Sequence, residues 1–560
     1  MAISPAPGTP DASPDTQISV LGVPARSVRS VTVIGSASGR HTGRLRAYAS
    51  APGASYLLDR SLAPGESVRL RVVVAGRGAI NERFTVAHPG VIGPPINIPV
   101  IQLPKLQRFV SNPLLLPPRL TVNRAAPHLP GDIFLTPLPA PIIHPGNVNA
   151  ISIHPVGPGG PMIVGSDGRL IWFHELAPPD VAAALQVARL GHRSVLTWWQ
   201  GSVSTSAFGQ GAGVIADTSY RILHTVHTGN GYAADIHEFQ ITPDGQAFMI
   251  AAAPVRIHRP GTPAGTLWPL QDSVAQEIDI RTGLVMWEWH GYGHIPLRDS
   301  DVTPKTSPVY DAYHFNSLNP LPGGRVLVSA RDTSAVYSVR QAGGAIQWTL
   351  GGRASSFRMG PGAVFHFQHD ARPLPGHRIG LFDDEAGPPD YARASRGLIL
   401  ALDLRRHRAM VARQYHRGGA SLAASEGSLQ TLPGGGALVG FGATPWISQF
   451  SASGRLVFDA ALPADDGSYR ALRFDWHATP RTRPAVAARS ATGRTDLYVS
   501  WNGATEVARW QVRSGRATLV TVADRAFETR IAVPVRTRYT VRALDRAGHV
   551  LAESPEVPAP

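Results

Sequence analysis

From about residue 146 to about residue 470 the chain keeps returning to one unit. The unit is a polar approach, a Pro-Gly or Asp-Gly turn, an apolar strand, and a further strand that closes on an aromatic residue. The turn prolines Pro243, Pro322, Pro375 and Pro433 stand 79, 53 and 58 residues apart. Closing strands read Gly168-Arg-Leu-Ile-Trp-Phe173, Gly283-Leu-Val-Met-Trp-Glu-Trp289, Gly343-Gly-Ala-Ile-Gln-Trp348 and Gly454-Arg-Leu-Val-Phe458. No other feature constrains the fold as much, because a small sheet cannot bury its own faces and must stack on copies of itself. A blade of four short strands takes about 40 to 50 residues, and longer spacings place the excess in loops. Units near 165, 200, 243, 322, 375 and 433 predict six blades. A ring of blades leaves few open edges, so the expected closure is a six-bladed β-propeller.

Three of these units carry a histidine just ahead of the turn. His237 stands in Ile236-His-Glu-Phe-Gln-Ile-Thr-Pro-Asp-Gly245, His314 opens His314-Phe-Asn-Ser-Leu-Asn-Pro-Leu-Pro-Gly-Gly324, and His369 opens His369-Asp-Ala-Arg-Pro-Leu-Pro-Gly376. Each turn leads into a short strand, at 247–251, 325–329 and 379–382. Modules around an axis would bring the three imidazoles to one site. Arg331 follows His314 by 17 residues, out through a turn and back along a strand, which returns it to the same mouth. A guanidinium among imidazoles suits a tetrahedral oxyanion, because its planar fork offers paired donors. The rival reading is zinc on three His, with Glu238 adding a carboxylate. An always-charged Arg opposes a dication, so anion chemistry is weighted above metal, and no metal or other cofactor is expected. Asn316 is a candidate extra donor or a turn residue. Further candidates are His290 and His294 in a loop, and Trp446 with the Trp198-Trp199 pair as an aromatic wall or as core. His366, three before His369 on a strand, should face away from it. The acidic run Asp383-Asp-Glu385 reads as a solvated loop or a calcium ligand set.

The flanking regions are also β. Residues 1–107 alternate as strands, at 31–34 and 68–74, and read as a small N-terminal β domain. A Pro-rich crossing over 93–146, with Leu114-Leu-Leu-Pro-Pro118 and Leu138-Pro-Ala-Pro141, should wrap the surface as extended chain. The propeller is placed at 108–475. Residues 482–560 read as a β-sandwich of the fibronectin or immunoglobulin type, with Trp501 and Trp510 as core anchors and Tyr539 as a corner tyrosine. The expected class is therefore all-β, a composition with 57 Gly, 50 Pro and only 16% charged residues agreeing with it.

Several motifs, in order along the chain, resemble the bacterial arylsulfotransferases and their actinobacterial branch. They are Leu196-Thr-Trp-Trp-Gln-Gly201, Asp235-Ile-His-Glu-Phe-Gln-Ile-Thr-Pro-Asp-Gly245, His314-Phe-Asn-Ser317, Ser329-Ala-Arg-Asp-Thr-Ser-Ala-Val-Tyr337, Trp348-Thr-Leu-Gly-Gly352 and Phe367-Gln-His-Asp-Ala371. The resemblance spans roughly residues 110 to 475. It implies a six-bladed propeller with the site on its axis, and sulfuryl transfer between an aryl sulfate and a phenol without a nucleotide donor. By motif position, His369 corresponds to the family's nucleophile, forming a sulfohistidine. His314 and Arg331 correspond to its sulfate-binding His and Arg, and His237 to another active-site His. This chain reads Ile236-His-Glu where the Gram-negative enzymes have His-His-Asp, and it cannot form their disulfide because it has no Cys. The family implies an exported protein, while the start of the chain shows no basic and apolar signal pattern.

Charge and length exclude other classes. All but Lys105 and Lys305 of the 53 basic residues are Arg, giving a net charge of +14 with no basic run of five or more. Nucleic acid is therefore not an expected partner, and no run of about 18 apolar residues predicts a transmembrane helix. Three alternatives remain beside the transferase: a propeller that binds a glycan or protein without catalysis, a metal-dependent hydrolase on the His cluster, and, remotely, a quinone-dependent dehydrogenase.

Overall fold

The computed structural model describes the chain except residues 97–105, 140–141, 145–146, 153–157, 205–207, 259–265, 305–308, 388–390, 393 and 419–421; side chains at 142–144, 147–152 and 391–392 are likewise outside the description. Parts of the Pro-rich crossing, including the end of Leu138-Pro-Ala-Pro141 and Lys105, therefore lie outside the described residues. What is described is all-β, with short 3-10 turns between strands. Among the described residues no helix is long and apolar enough to cross a membrane.

Between residues 132 and 474 most of the described strands fall into six groups of four, with short strands such as Pro137–Pro139 and Asp466–Ser468 pairing outside them. Phe315–Leu321, Arg325–Ala330, Ala335–Arg340 and Ile346–Gly351 form one antiparallel meander. His369–Leu374, Arg378–Asp383, Arg396–Asp403 and Arg408–Tyr415 form the next, and Ser428–Thr431, Ala437–Gly440, Trp446–Phe450 and Leu456–Ala461 a third. Ahead of these, Ala234–Ile241, Gln246–His258, Leu267–Asp279 and Val285–His290 form one group, joined by a single Gly211–Ala234 pairing to the group of Val181–Leu190, Arg193–Val203, Gly209–Ala216 and Ile222–Val226. The turns between first and second strands carry glycines where the backbone is left-handed, such as Gly323 and Gly376 at φ +80° and +77°.

The sixth group takes its strands from both ends of the region. Leu472–Phe474 pairs with Asp132–Leu135, which continues through Met162–Val164 to Leu170–Phe173. Ile133, Phe134 and Leu135 are fully buried there. This corrects the expectation for the Pro-rich crossing: its described part does not merely wrap the surface. It supplies a core strand, and Thr121–Ala125 adds an edge strand to Leu456–Ala461. Extended Pro-rich chain forms strands wherever its donors find acceptors, and prolines are tolerated at edges and strand starts. The first strand of each group packs against the first strand of the next, from Leu472–Phe474 through Val181–Leu190, Ala234–Ile241, Phe315–Leu321, His369–Leu374 and Ser428–Thr431, and the last of these packs against the first.

Residues 2–85 form two four-stranded sheets around a core of Val33, Val68, Leu70, Val72 and Phe84. They dock on the strand Val285–His290, where Ser19 and Ser55 hydroxyls donate to the Val285 carbonyl at 2.6 and 2.7 Å. At the other end, Ala485–Ala491, Arg494–Ser500 and Glu528–Val533 face a second sheet built on Arg509–Ser514 and Arg538–Leu544. Trp501, Trp510 and Tyr539 lie in the core between them. The Tyr539 hydroxyl donates to the Pro534 carbonyl at 3.1 Å and accepts from the Arg536 N–H at 2.8 Å, tying the preceding loop to its own strand.

Candidate active site

The three histidine-bearing strands are irregular at the same end. Pairing register shifts between Ala234 and Phe239, between Phe315 and Ser317, and between His369 and Arg372. An irregular ladder bends the strand and re-aims its side chains. Left-handed backbone at non-glycine residues gathers here too: His314 at φ +53°, Phe367 at +56°, Asp370 at +53° and Glu426 at +67°. Such strain persists only where surrounding contacts over-determine it, and it concentrates at functional sites.

Each imidazole is held by a carboxylate at Nδ1. His237 is bonded to Asp235, His314 to Asp311 at 2.5 Å, and His369 to Asp384 at 2.8 Å. A carboxylate on Nδ1 fixes both ring orientation and tautomer, leaving Nε2 to act. At His369 the assignment is unambiguous, because the Glu426 backbone N–H donates to Nε2 at 3.3 Å. Nε2 therefore carries the lone pair, and Nδ1 carries the hydrogen donated to Asp384. His237 and His314 meet Nε2 to Nε2 at 3.0 Å, a contact that is a hydrogen bond when one of the two rings carries a proton at Nε2. All three rings are buried, with His369 only 1% exposed.

Arg331 enters by the hairpin. Phe315–Leu321 and Arg325–Ala330 pair, and the Arg331 N–H donates to the His314 carbonyl at 3.0 Å. The guanidinium donates to Asp332 at 2.8 Å, lies 4.4 Å from the Phe367 ring centroid, and leaves Nε without a partner among the described residues. Its charge bears on His314, His369, Asp311 and Asp384. Burial, then the neighbouring His237, holds the His314 pKa down to about 3. Burial, then Arg331, holds His369 well below the usual range, so its imidazole is neutral at pH 7. Burial pushes Asp311 up to about 7 against the opposing pull of Arg331.

Sequence reasoning placed His237, His314, Arg331 and His369 together, and the structure brings all four into one cluster. Asn316 is different: its amide donates to the Gln368 carbonyl at 2.7 Å, while its Oδ1 has no partner. As an extra donor it is already engaged. Other expectations are corrected. Asp383, Asp384 and Glu385 are buried and not solvated, because Asp384 serves His369 and Asp383 pairs with Arg396 at 2.8 Å. His366 precedes the strand and is not part of it, its N–H donating to Asp383. His290 ends a strand in a separate buried cluster. Trp198 and Trp199 are core, and Trp446 stacks under Arg417 at 3.5 Å.

Four residues were not anticipated. Phe208 covers the site, its ring centroid 5.2 Å from His314. Tyr469 lies between His237 and His369, at 5.7 and 6.4 Å, with its buried hydroxyl unpartnered. Arg470 donates to the carbonyls of His237 and Asn316 at 3.0 and 3.1 Å and to Glu238 at 3.0 Å, and pairs with Asp370 at 2.9 Å. It pins two of the irregular strands to each other. Glu426, pushed up to about 8 by burial, brings the N–H that marks His369 Nε2. Carboxylate and imidazole donors of Asp311, His314 and Asp332 lie within 4.8 Å of one another. A dication there would have to displace the Arg331 guanidinium from Asp332, so the arrangement favours an anion beside it.

The arylsulfotransferase (ASST) family matches residues 186–462, a span that contains all four clustered residues and the hairpins that carry them. Over that span the chain belongs to the arylsulfotransferase family. Membership implies a sulfotransferase acting on small aryl sulfates and phenols at the level of the family. No curated protein matches the chain. Among solved structures the chain is similar to a protein of unknown function from Bacteroides caccae, at 12% identity and a TM-score of 0.37, covering 62% of this chain and 99% of that one. It is also similar to the periplasmic gluconolactonase PpgL of Pseudomonas aeruginosa, at 14% identity and a TM-score of 0.31, covering 72% of this chain and all of that one.

Proposed function

We propose that the protein transfers a sulfuryl group from an aryl sulfate ester to a phenolic acceptor through a sulfohistidine on His369, with no nucleotide donor. The cycle of first strands, closed by Leu472–Phe474 pairing with Asp132–Leu135, supports a six-bladed propeller with this site on its axis. The observation that carries the reading is the neutral His369, its Nδ1–H on Asp384 and its Nε2 lone pair unprotonated beside Arg331.

In the first half-reaction His369 Nε2 attacks sulfur, the bond from sulfur to the aryl oxygen breaks, and that oxygen takes the electron pair. A proton held at the Nε2–Nε2 contact of His237 and His314 passes to the departing phenolate, and the pair is left without it. Arg331, whose Nε is free, stabilises the charge spread over the three sulfuryl oxygens. In the second half-reaction the His237–His314 pair takes the proton of the acceptor phenol. Its oxygen attacks sulfur, the N–S bond breaks, and Nε2 recovers its lone pair. The rings of Phe208 and Tyr469 offer aromatic surface to the phenol.

Turnover of a chromogenic aryl sulfate with and without a phenol tests this directly. Release stimulated by the acceptor supports the transferase. Release that needs added zinc and ignores the acceptor would replace it with a hydrolase, and no release with any donor would leave a binding protein.

A further inference from the structure

A second buried cluster lies away from the candidate active site, where the N-terminal sheets dock. His290, at the end of Val285–His290, places Nδ1 3.1 Å from Asp11 Oδ1 and 3.1 Å from Asp272 Oδ2. Asp272 lies on the adjacent strand Leu267–Asp279, and Asp11 comes from the N-terminal segment. On the far side of the ring, Nε2 meets Glu288 at 3.0 Å. Asp11, Asp272, Glu288 and His290 are each at most 2% exposed.

The charge of this cluster does not balance within the protein. Three carboxylates surround one imidazole, and among the described residues no Lys or Arg pairs with any of them. Even a protonated His290 leaves an excess of negative charge away from water, where an unpaired ion is strongly disfavoured. Among the described residues Asp11 Oδ2 has no hydrogen-bond partner and Oδ1 has only the shared His290 Nδ1 beside it, although the residue is 2% exposed. The buried hydroxyl of Tyr232, whose ring centroid lies 6.4 Å from His290, also lacks one. Glu288, by contrast, is fully served: Asn230 and Gln276 donate to its Oε2 at 2.7 and 2.6 Å. It is thus suited to accept Nε2–H and leave Nδ1 as a lone-pair ligand, the outer-shell arrangement that orients metal-bound imidazoles.

We propose that Asp11, Asp272 and His290 bind a divalent transition metal, best matched by zinc, which fastens the N-terminal sheets to the sheet that carries His237. One imidazole and two carboxylates are a donor set zinc accepts, with bonds of about 2.0–2.2 Å and tetrahedral geometry. Such bonds separate donors by about 3.3 Å, and the two measured separations from His290 Nδ1 are 3.1 Å, with all three donors within 4.8 Å of one another. The ion turns an unpaired carboxylate of one region into a bond to another.

The test uses the full chain, purified without a metal-affinity step and incubated with zinc, then with cobalt or manganese as alternates. The expected result is about one equivalent retained through exhaustive dialysis, and a melting temperature lowered by a chelator. Asp11→Asn and His290→Gln should each weaken zinc binding by at least about tenfold, the usual cost of disturbing a ligand shell. His314→Gln, in the other cluster, should keep it. Should the two ligand variants fail to fold, X-ray absorption of the zinc-loaded parent decides: a shell with a single imidazole supports the site. Retention below about 0.1 equivalent of every metal tried overturns it. So does a zinc shell with two or more imidazoles, or zinc lost on His314→Gln, since either places the metal among His237, His314 and His369.

Discussion

Where the histidine-bearing strands of the 132–474 region meet, His237, His314 and His369 each rest on an Asp at Nδ1, with Arg331 and Arg470 among them. Against the N-terminal sheets His290 rests on Asp11, Asp272 and Glu288, with no arginine among the described residues paired to any of them. The two clusters use the same imidazole–carboxylate contact at the same depth of burial. Their difference is the sign of what is missing. The central cluster brings cationic donors, among them an Arg331 Nε with no partner among the described residues, which suits an oxyanion; the outer cluster brings unpartnered carboxylate oxygen, which suits a cation. On the two proposals imidazole would be a nucleophile and proton carrier in one place and a ligand in the other, with the neighbouring side chains deciding which.

The largest expected effect breaks the central cluster at its nucleophile. His369→Asn should abolish acceptor-dependent turnover, because it removes the two-step path itself; retention of parental rates would move the nucleophile to His237 or His314. Next comes Arg470→Met, which leaves Glu238 with Arg372 alone and frees the His237 and Asn316 carbonyls. It should destabilise the fold by about 3–5 kcal/mol, the cost of breaking a buried pair from one side, measured by denaturant unfolding. A change below about 1 kcal/mol would show that Arg470 pins nothing. Arg331→Lys keeps the charge and loses the planar fork, and should cost about 2–4 kcal/mol in the barrier, read as kcat/KM.

The smallest effect concerns pH. His369 and His314 lie below the ordinary imidazole value of 6.5, His314 at about 3. A base with a depressed pKa stays neutral as pH falls through 6.5, so the acid limb of kcat/KM should lie well below that value. Arg331→Gln removes one cause of the depression at His369 and should move the limb upward. An acid limb already at 6.5 in the parent would mean that the imidazoles are solvated. The sign for stability is opposite: the unfolded chain binds protons at these histidines below 6.5 while native His314 does not until about 3, so they remove stability as pH falls across that window. Asp311 and Glu426, pushed up to about 7 and about 8, act the other way, their native protonated forms adding stability that fades as pH rises toward those values.

What the sequence disclosed follows from where contacts lie along the chain. His237, His314 and His369 were legible because each opens a hairpin whose turn and second strand lie within a few residues, and Arg331 because it sits at the far end of one such hairpin. Asp235 and Asp311 are two and three residues from their histidines, whereas Asp384 reaches His369 from 15 residues away, so its run looked like a solvated loop. Tyr469 and Arg470 stand just before Leu472–Phe474 as His314 stands before Phe315–Leu321, but their strand pairs with Asp132–Leu135 from the other end of the region. No turn follows to mark them. The outer cluster was illegible for the same reason, since Asp11 and Asp272 meet across 261 residues of chain.

The central claim is that His369 is the atom's-length partner of sulfur, and intact-protein mass spectrometry at neutral pH tests it most directly. After brief exposure to an aryl sulfate without acceptor, the parent should carry one added sulfuryl group, removed when phenol is supplied, and His369→Asn should carry none. The phosphoramidate-like N–S bond requires that acid be kept out of the measurement. A label of equal stoichiometry on His369→Asn, transferred to phenol at the parental rate, would contradict the account.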